Sequence, residues 1–382
     1  MGPTIITDKN AIQSLSRSEI HFLFKYFYVI IPPILVREIL GDLVKDNNDR
    51  TSQEANVRIL SKKLLSNDSG INVHYLDLIL NELMGIAVPM DFRMLRNSTK
   101  IVKEGKTGAL TNETEEERIV RNWQNGIFDN KDYKTASEWR NSINNISIDE
   151  IKGMSSHIIQ NLKDFHINSL DNINELILKI FELDHFQQPL LTLIIEINKF
   201  NQEYATQIFY RWESSKKPPI KEFCPYTFYC TFALLFWNLG TLRSLFGRAT
   251  DIIDIEYLFY LPFTRVFASN DNFHERIVPY LIQKNQKFIT GKELKDDLKL
   301  VADKWKLLTD EEKIDWHKIH GNKPTSETPL TFDLYNKYFL NQKSETSQSE
   351  DEIDYMEIRR QIHIDSPCPC GSGVSFENCH GK

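Results

Sequence analysis

The sequence predicts an α/β protein: a parallel sheet flanked by helices, interrupted by a large, mostly α-helical insertion and followed by a small C-terminal zinc knuckle. Three observations predict it. The first 45 residues alternate short β-branched runs with helix-period segments, the pattern of a parallel sheet. That alternation fades after residue 45 and returns near residue 245. Three of the five cysteines crowd into the last fifteen residues beside a histidine.

The elements follow in order. Thr4–Thr7 (TIIT) is a short apolar run that ends at Asp8, Lys9 and Asn10, so it predicts a buried strand feeding a polar loop. Over Ser18 to Phe27, residues Ile20, Leu23, Phe24 and Phe27 share one helical face. Tyr28–Ile31 (YVII) predicts a second strand, closed by Pro32 and Pro33. Proline suits a first helical turn, so Pro33 opens a helix running to about Val44 with Leu35, Ile39 and Leu43 inward. Residues 1–45 form the first part of the core.

Residues 46–244 are predicted to be the helical insertion. Asn72–Met84 and Leu170–Phe200 carry helical periodicity, and Thr114 with Glu117 forms a capping box. Lys100–Asn112 (KIVKEGKTGALTN) is expected to be a polar loop. Phe223–Leu242 has no charged side chain and is long enough to span a bilayer, but Pro225, Asn238 and its strongly polar flanks predict a buried core helix instead. Residues 245–343 complete the core: a helix over Asp254–Leu261, a strand over Arg265–Ala268, and helices over Glu275–Gln283 and Thr309–His320. Residues 344–365 are a linker, acidic and serine-rich at their start (SETSQSEDEID), and 366–382 are the knuckle.

At 382 residues, 41% hydrophobic and 26% charged, the chain can bury a sizeable core. Its formal net charge of −7 excludes a global positive field, so a nucleic-acid partner needs a local basic groove. Few, clustered cysteines exclude a secreted disulfide framework and predict metal ligation in a reducing, cytoplasmic compartment. No signal peptide and no membrane span are expected.

Cys368, Cys370, Cys379 and His380 offer three thiolates and an imidazole, the tetrahedral set that zinc favours. Gly371 and Gly373 give the backbone room to wrap around the ion. The pattern SPCPCGSG…F…CHG resembles the SEC-C motif, a zinc knuckle attached to otherwise unrelated proteins, which implies a structural Zn²⁺ and a protein partner recruited through the knuckle.

The candidate chemistry lies in carboxylates that bracket the insertion. Asp8 ends the first strand, Glu38 and Asp42 share a helix face, Asp251 and Asp254 start a helix, and Asp271 follows the strand RVFA. Ligands of parallel α/β sheets bind beyond the carboxyl ends of the strands, where Asp8 and Asp271 fall. Acids converging there repel one another unless cations neutralise them, and oxygen-only sites select Mg²⁺ or Mn²⁺. IITDKN (Ile5–Asn10), VIIPPILVREILGDL (Val29–Leu43) and DIEYLFYLPFTRVFASND (Asp254–Asp271) resemble, in this order, segments of the PIN-like nuclease superfamily. The resemblance implies a metal-dependent ribonuclease with Asp8, Glu38, Asp254 and Asp271 as metal-binding acids. Asn10 and Ser269 would support them, and Asp251 rivals Asp254 as the third acid. Two alternatives stand beside it: a non-catalytic adaptor recruited by its zinc knuckle, and a structure-specific DNA nuclease. Candidate phosphate contacts are Arg93, Arg96, Lys100, Lys103 and Lys106, then Lys216, Lys217 and Lys221 beside Trp212, and Arg243 and Arg248, though such patches are equally the ordinary solvated surface of a globular protein. His274 is expected to be a structural or exposed residue at a helix start.

Overall fold

A computed structural model describes residues 2–45, 50–96, 98–103, 106–111, 113–144, 167–248 and 250–340. The predicted zinc ligands and the linker lie outside them. Helix dominates the described residues, arranged around a five-stranded parallel sheet. The strands are β1 (Thr4–Thr7), β2 (Tyr28–Ile31), β3 (Ser69–Ile71), β6 (Val266–Ser269) and β7 (Lys287–Thr290), in the spatial order β3-β2-β1-β6-β7. A separate antiparallel pair joins β4 (Ser98–Lys103) to β5 (Lys106–Thr111).

Parallel strands covered on both faces must be apolar throughout rather than alternating. TIIT, YVII and VFAS meet that need: Ile5, Ile6, Val29, Ile30, Ile31, Val266 and Phe267 are all buried. β1 sits at the centre. It pairs with β2 through Ile5↔Val29 and with β6 through Ile6↔Phe267. The chain builds outward from β1 through β2 to β3, leaves the sheet, and returns on the other side of β1 as β6 and β7. The gap between the ends of β1 and β6 is therefore a topological switch point, where crevices open in such sheets.

The first block is placed as expected, with small shifts. The polar loop expected after β1 is instead a short helix, Lys9–Ser14; the helix before β2 spans Arg17–Tyr26 behind a Ser16–Glu19 capping box, and Pro33 opens the helix Pro33–Leu40. That helix gives way to a 3-10 turn over Gly41–Val44, so Glu38 and Asp42 lie on different elements. The later helices and strand also shift: the helix expected from Asp254 starts at Asp251, and β6 extends one residue further, through Ser269.

Several elements differ from expectation. β3 pairs with β2 through Ile30↔Gly70, so the sheet continues past residue 45 into the segment expected to be helical. Ser-Gly-Ile is too short to show a period, and Gly70 lies against the end of the Met94 side chain, 2.7 Å from where a Cβ would stand. Lys100–Asn112 is expected to be a loop, but residues 98–103 and 106–111 form the β4–β5 pair. Its sequence, rich in lysine and threonine with a glycine, shows no strict apolar alternation that would mark a strand. β7 and the long helix Gly291–Leu307 arise where no element is expected. The latter packs on the helices Lys9–Ser14 and Arg17–Tyr26 and covers one face of the sheet.

The charge-free segment forms the helix Pro225–Leu242, buried among the helices Tyr75–Leu83, Leu170–Glu182 and Asp251–Leu258. Its free N-terminal amides are met by Glu82, whose carboxylate accepts from Tyr226 N at 2.9 Å and Thr227 N at 2.7 Å. Among the described residues no helix is long and apolar enough to cross a membrane.

Candidate acidic site at the carboxyl edge of the sheet

The switch point collects the sequence-predicted acids from four elements. Asp8 ends β1 and caps the helix Lys9–Ser14, its Oδ1 accepting from Ala11 N at 2.7 Å. Glu38 comes from the helix after β2. Asp251 and Asp254 stand in the first turn of the helix Asp251–Leu258, where the dipole favours negative charge. Asp271 follows β6 and caps the short helix Asn272–Ile277, accepting from Phe273 N at 2.7 Å.

A buried hydrogen-bond chain ties these elements together. Ser269 Oγ lies 2.5 Å from Asp8 Oδ2 and 2.7 Å from His274 Nδ1, and it accepts from Asp271 N at 3.0 Å. On the other side of the ring, His274 Nε2 is 2.9 Å from the carbonyl of Asp254. A carbonyl only accepts, so Nε2 carries a proton. Ser269 has one proton to share between Asp8 and His274. The trio therefore binds a further proton of its own. His274, 0% exposed, thus links the backbone of Asp254 to the carboxylate of Asp8. His274 is thus structural, as a lone histidine at a helix start is expected to be, and buried rather than exposed; its position just after a strand-end acid is the sequence clue to its partners.

The electrostatics are those of crowded acids. Burial pushes the Asp254 carboxyl up to about 8, with Asp271, Glu38 and Asp251 adding like-charge repulsion and Arg248 opposing it. Burial also raises Asp8, Glu38 and Asp251 above the usual carboxylate range and lowers His274. Glu256, one turn along the same helix face as Ile252, is pushed by burial to about 7. Glu38 is held by the hydroxyl of Tyr257. Against these acids stands Arg248, whose Nε is 2.9 Å from Asp251 and whose Nη2 is 3.4 Å from Asp271. Asp42 is occupied elsewhere, by Lys9 at 2.7 Å and Arg140 at 3.3 Å.

Other predicted residues stay apart. Asn10 is exposed on the helix after β1. Among the described parts of the basic patches, Arg93 pairs with Asp91, Arg96 with Glu117 and Lys217 with Glu213, so Arg248 is the one seen joining the acids. A cavity of about 380 Å³ opens beside Asp251 and Asp271.

The donor set is all oxygen, and its charge is poorly balanced, which suits a hard divalent cation. Among the described residues no three His, Cys, Asp or Glu side chains are grouped closely enough to hold a metal ion directly. Mg²⁺ commonly needs only one or two protein carboxylates and keeps several waters, so a looser ring of acids fits it.

The SEC-C motif family model matches residues 366–382. No curated protein and no solved structure matches the chain.

Proposed function

We propose that the chain is a PIN-like, metal-dependent ribonuclease that hydrolyses phosphodiester bonds at the β1–β6 switch point. One observation carries the reading: Asp8, Glu38, Asp251, Asp254 and Asp271 gather at the carboxyl edge of a parallel sheet, with Arg248 pairing Asp251 and Asp271 and Lys9 beside Glu38. Burial, with like-charge crowding added to it, drives Asp254 up to about 8, a cost to the fold that a cation-binding role accounts for.

Asp8, Glu38, Asp254 and Asp271 would hold Mg²⁺ or Mn²⁺, directly or through its waters. When bound, the ion supplies an activated water and charge stabilisation for in-line displacement at phosphorus. The chain's own residues do the rest. Ser269 and His274 fix the direction of the Asp8 carboxylate. Tyr257 fixes Glu38. The helix dipole at Asp251 and Asp254 offsets part of their mutual repulsion.

Cleavage of a mixed RNA pool with Mn²⁺ tests the reading, comparing wild type with Asp8→Asn and Asp271→Asn. Cleavage by wild type alone is the expected result. Cutting that survives both changes would remove the acids from the mechanism, and cutting confined to duplex or branched DNA would change the substrate class.

The family match at residues 366–382 favours a second reading, an adaptor recruited to a protein partner by its knuckle. In both readings Cys368, Cys370, Cys379 and His380 hold a structural Zn²⁺ in a reducing, cytoplasmic setting. The adaptor reading predicts no Mn²⁺ binding that depends on Asp8 and Asp271.

A further inference from the structure

The cavity beside the acids has two arginines in its wall, and they are held differently. Arg248 bridges Asp251 and Asp271 and is shared between them. Arg276 forms no ion pair among the described residues; its guanidinium lies 5.2 Å from the centre of the Phe246 ring. That ring is itself set by an edge contact with Phe273, centroids 4.9 Å apart. Phe246 and Phe273 are almost fully buried, so they form a firm wall.

A guanidinium lying over a ring is held in place without using its hydrogen-bond donors, and its planar fork matches two phosphate oxygens. The lining charges are two guanidiniums and two carboxylates, Asp251 and Asp271. Both carboxylates face Arg248, which leaves Arg276 as the guanidinium not engaged by an acid.

We infer that this cavity is a phosphate subsite: Arg276, with Arg248 in the same wall, takes a non-scissile phosphate of a single-stranded polynucleotide whose neighbouring linkage lies over Asp8, Asp254 and Asp271. The inference rests on the nuclease reading for the placement of that neighbouring linkage. The rest stands on the cavity itself. Its size exceeds a single phosphate and leaves room for the attached sugar. A phosphate contact carries no sequence information, so the subsite contributes affinity and register but no base preference.

The test is binding of a short labelled oligouridine by the full chain in EDTA, where no divalent ion permits cleavage, across a range of salt. Arg276 is exposed, so Arg276→Ala is expected to fold normally. It should weaken binding by about tenfold and reduce the slope of log affinity against log salt by about 0.7, the loss of one phosphate contact on a single strand. Arg276→Lys should restore the slope but only part of the affinity, since it keeps the charge and loses the fork. Equal affinity and slope for wild type and Arg276→Ala would overturn the subsite, as would no binding by wild type. Inorganic phosphate bound through Arg276 with no oligonucleotide bound would replace the polynucleotide by a free anion and overturn it too. Cleavage with Mn²⁺ is read separately. Arg276-dependent binding without any cleavage would sink the nuclease reading and leave the phosphate site, while cleavage with an unaffected Arg276→Ala does the reverse.

Discussion

His274 is the residue whose removal should be felt most widely. Its ring is fully buried and hydrogen-bonded at both nitrogens, to Ser269 Oγ and to the Asp254 carbonyl. Truncation to alanine leaves a cavity, which for a side chain of this size costs about 2–5 kcal/mol. Two lost hydrogen bonds add about 1 kcal/mol each. The sum, about 4–7 kcal/mol, is a large share of the about 5–15 kcal/mol that holds a typical protein folded. His274→Ala should therefore melt at much lower urea or fail to fold. His274→Asn and His274→Gln separate packing from positioning. An Asn amide reaches the place of Nδ1 and keeps the link to Ser269 and Asp8, whereas a Gln amide reaches the place of Nε2 and keeps the link to Asp254. Each should cost about 1–3 kcal/mol. Outer groups that orient metal ligands are worth about 10–100-fold in metal affinity, so both variants should bind Mn²⁺ more weakly by calorimetry. His274→Ala within about 1 kcal/mol of wild type would refute the energetics. Unchanged Mn²⁺ affinity in Asn and Gln variants that have lost stability would refute the positioning.

Three further predictions concern the acids, the buried helix and the tail. In the folded chain Asp254 and Glu256 hold their protons up to about 8 and about 7, against 3.8 and 4.5 for the free side chains. The folded protein thus binds more protons than the unfolded one between about pH 4 and pH 8, and its metal-free stability falls as pH rises through that window. Differential scanning calorimetry in EDTA should show a falling melting temperature, and Mn²⁺ should raise it more near pH 8 than near pH 5, since the ion must displace those protons; a flat or rising metal-free profile would contradict the crowding. Glu82→Ala strands the amides of Tyr226 and Thr227 at a buried helix start and should cost about 2–4 kcal/mol in urea melts, whereas Glu82→Gln, which keeps one acceptor, should cost about half as much. Native mass spectrometry of the full chain should find one zinc ion that Cys379→Ser removes, and the main thermal transition should not move, because the polar, serine-rich sequence between residues 344 and 354 is expected to act as a linker.

Legibility in the sequence followed the physics of each element. TIIT, YVII and VFAS are covered on both faces, so they had to be unbroken apolar runs, and such runs are easily seen. Ser69–Ile71 performs the same task with a glycine and a serine, because Met94 and the Tyr28 hydroxyl already fill the space above it. What makes it a strand is the neighbour, which no local pattern encodes. Lys287–Thr290 is an edge strand with two of its four side chains only half-buried, and for that reason it carries no apolar run.

The acids were legible for a different reason. Asp8 stands immediately after a strand and Asp271 two residues after one, and each caps the helix that follows, a role visible from strand, acid and helix in sequence order. The long separation between Glu38 and Asp254 did not hide their meeting. The chain leaves the sheet at β3, on one side of β1, and can rejoin a parallel sheet on the other side only beside β1. Whatever the length of the excursion, the end of β6 must then face the end of β1. The intervening helices are free to vary in number without moving Asp271 from Asp8. Hidden from sequence were the groups that act between elements: His274 across to Asp254, Glu82 under a distant helix, Arg248 between two acids. Each joins chain segments whose approach is set by packing, and packing leaves no periodic trace at a single polar position.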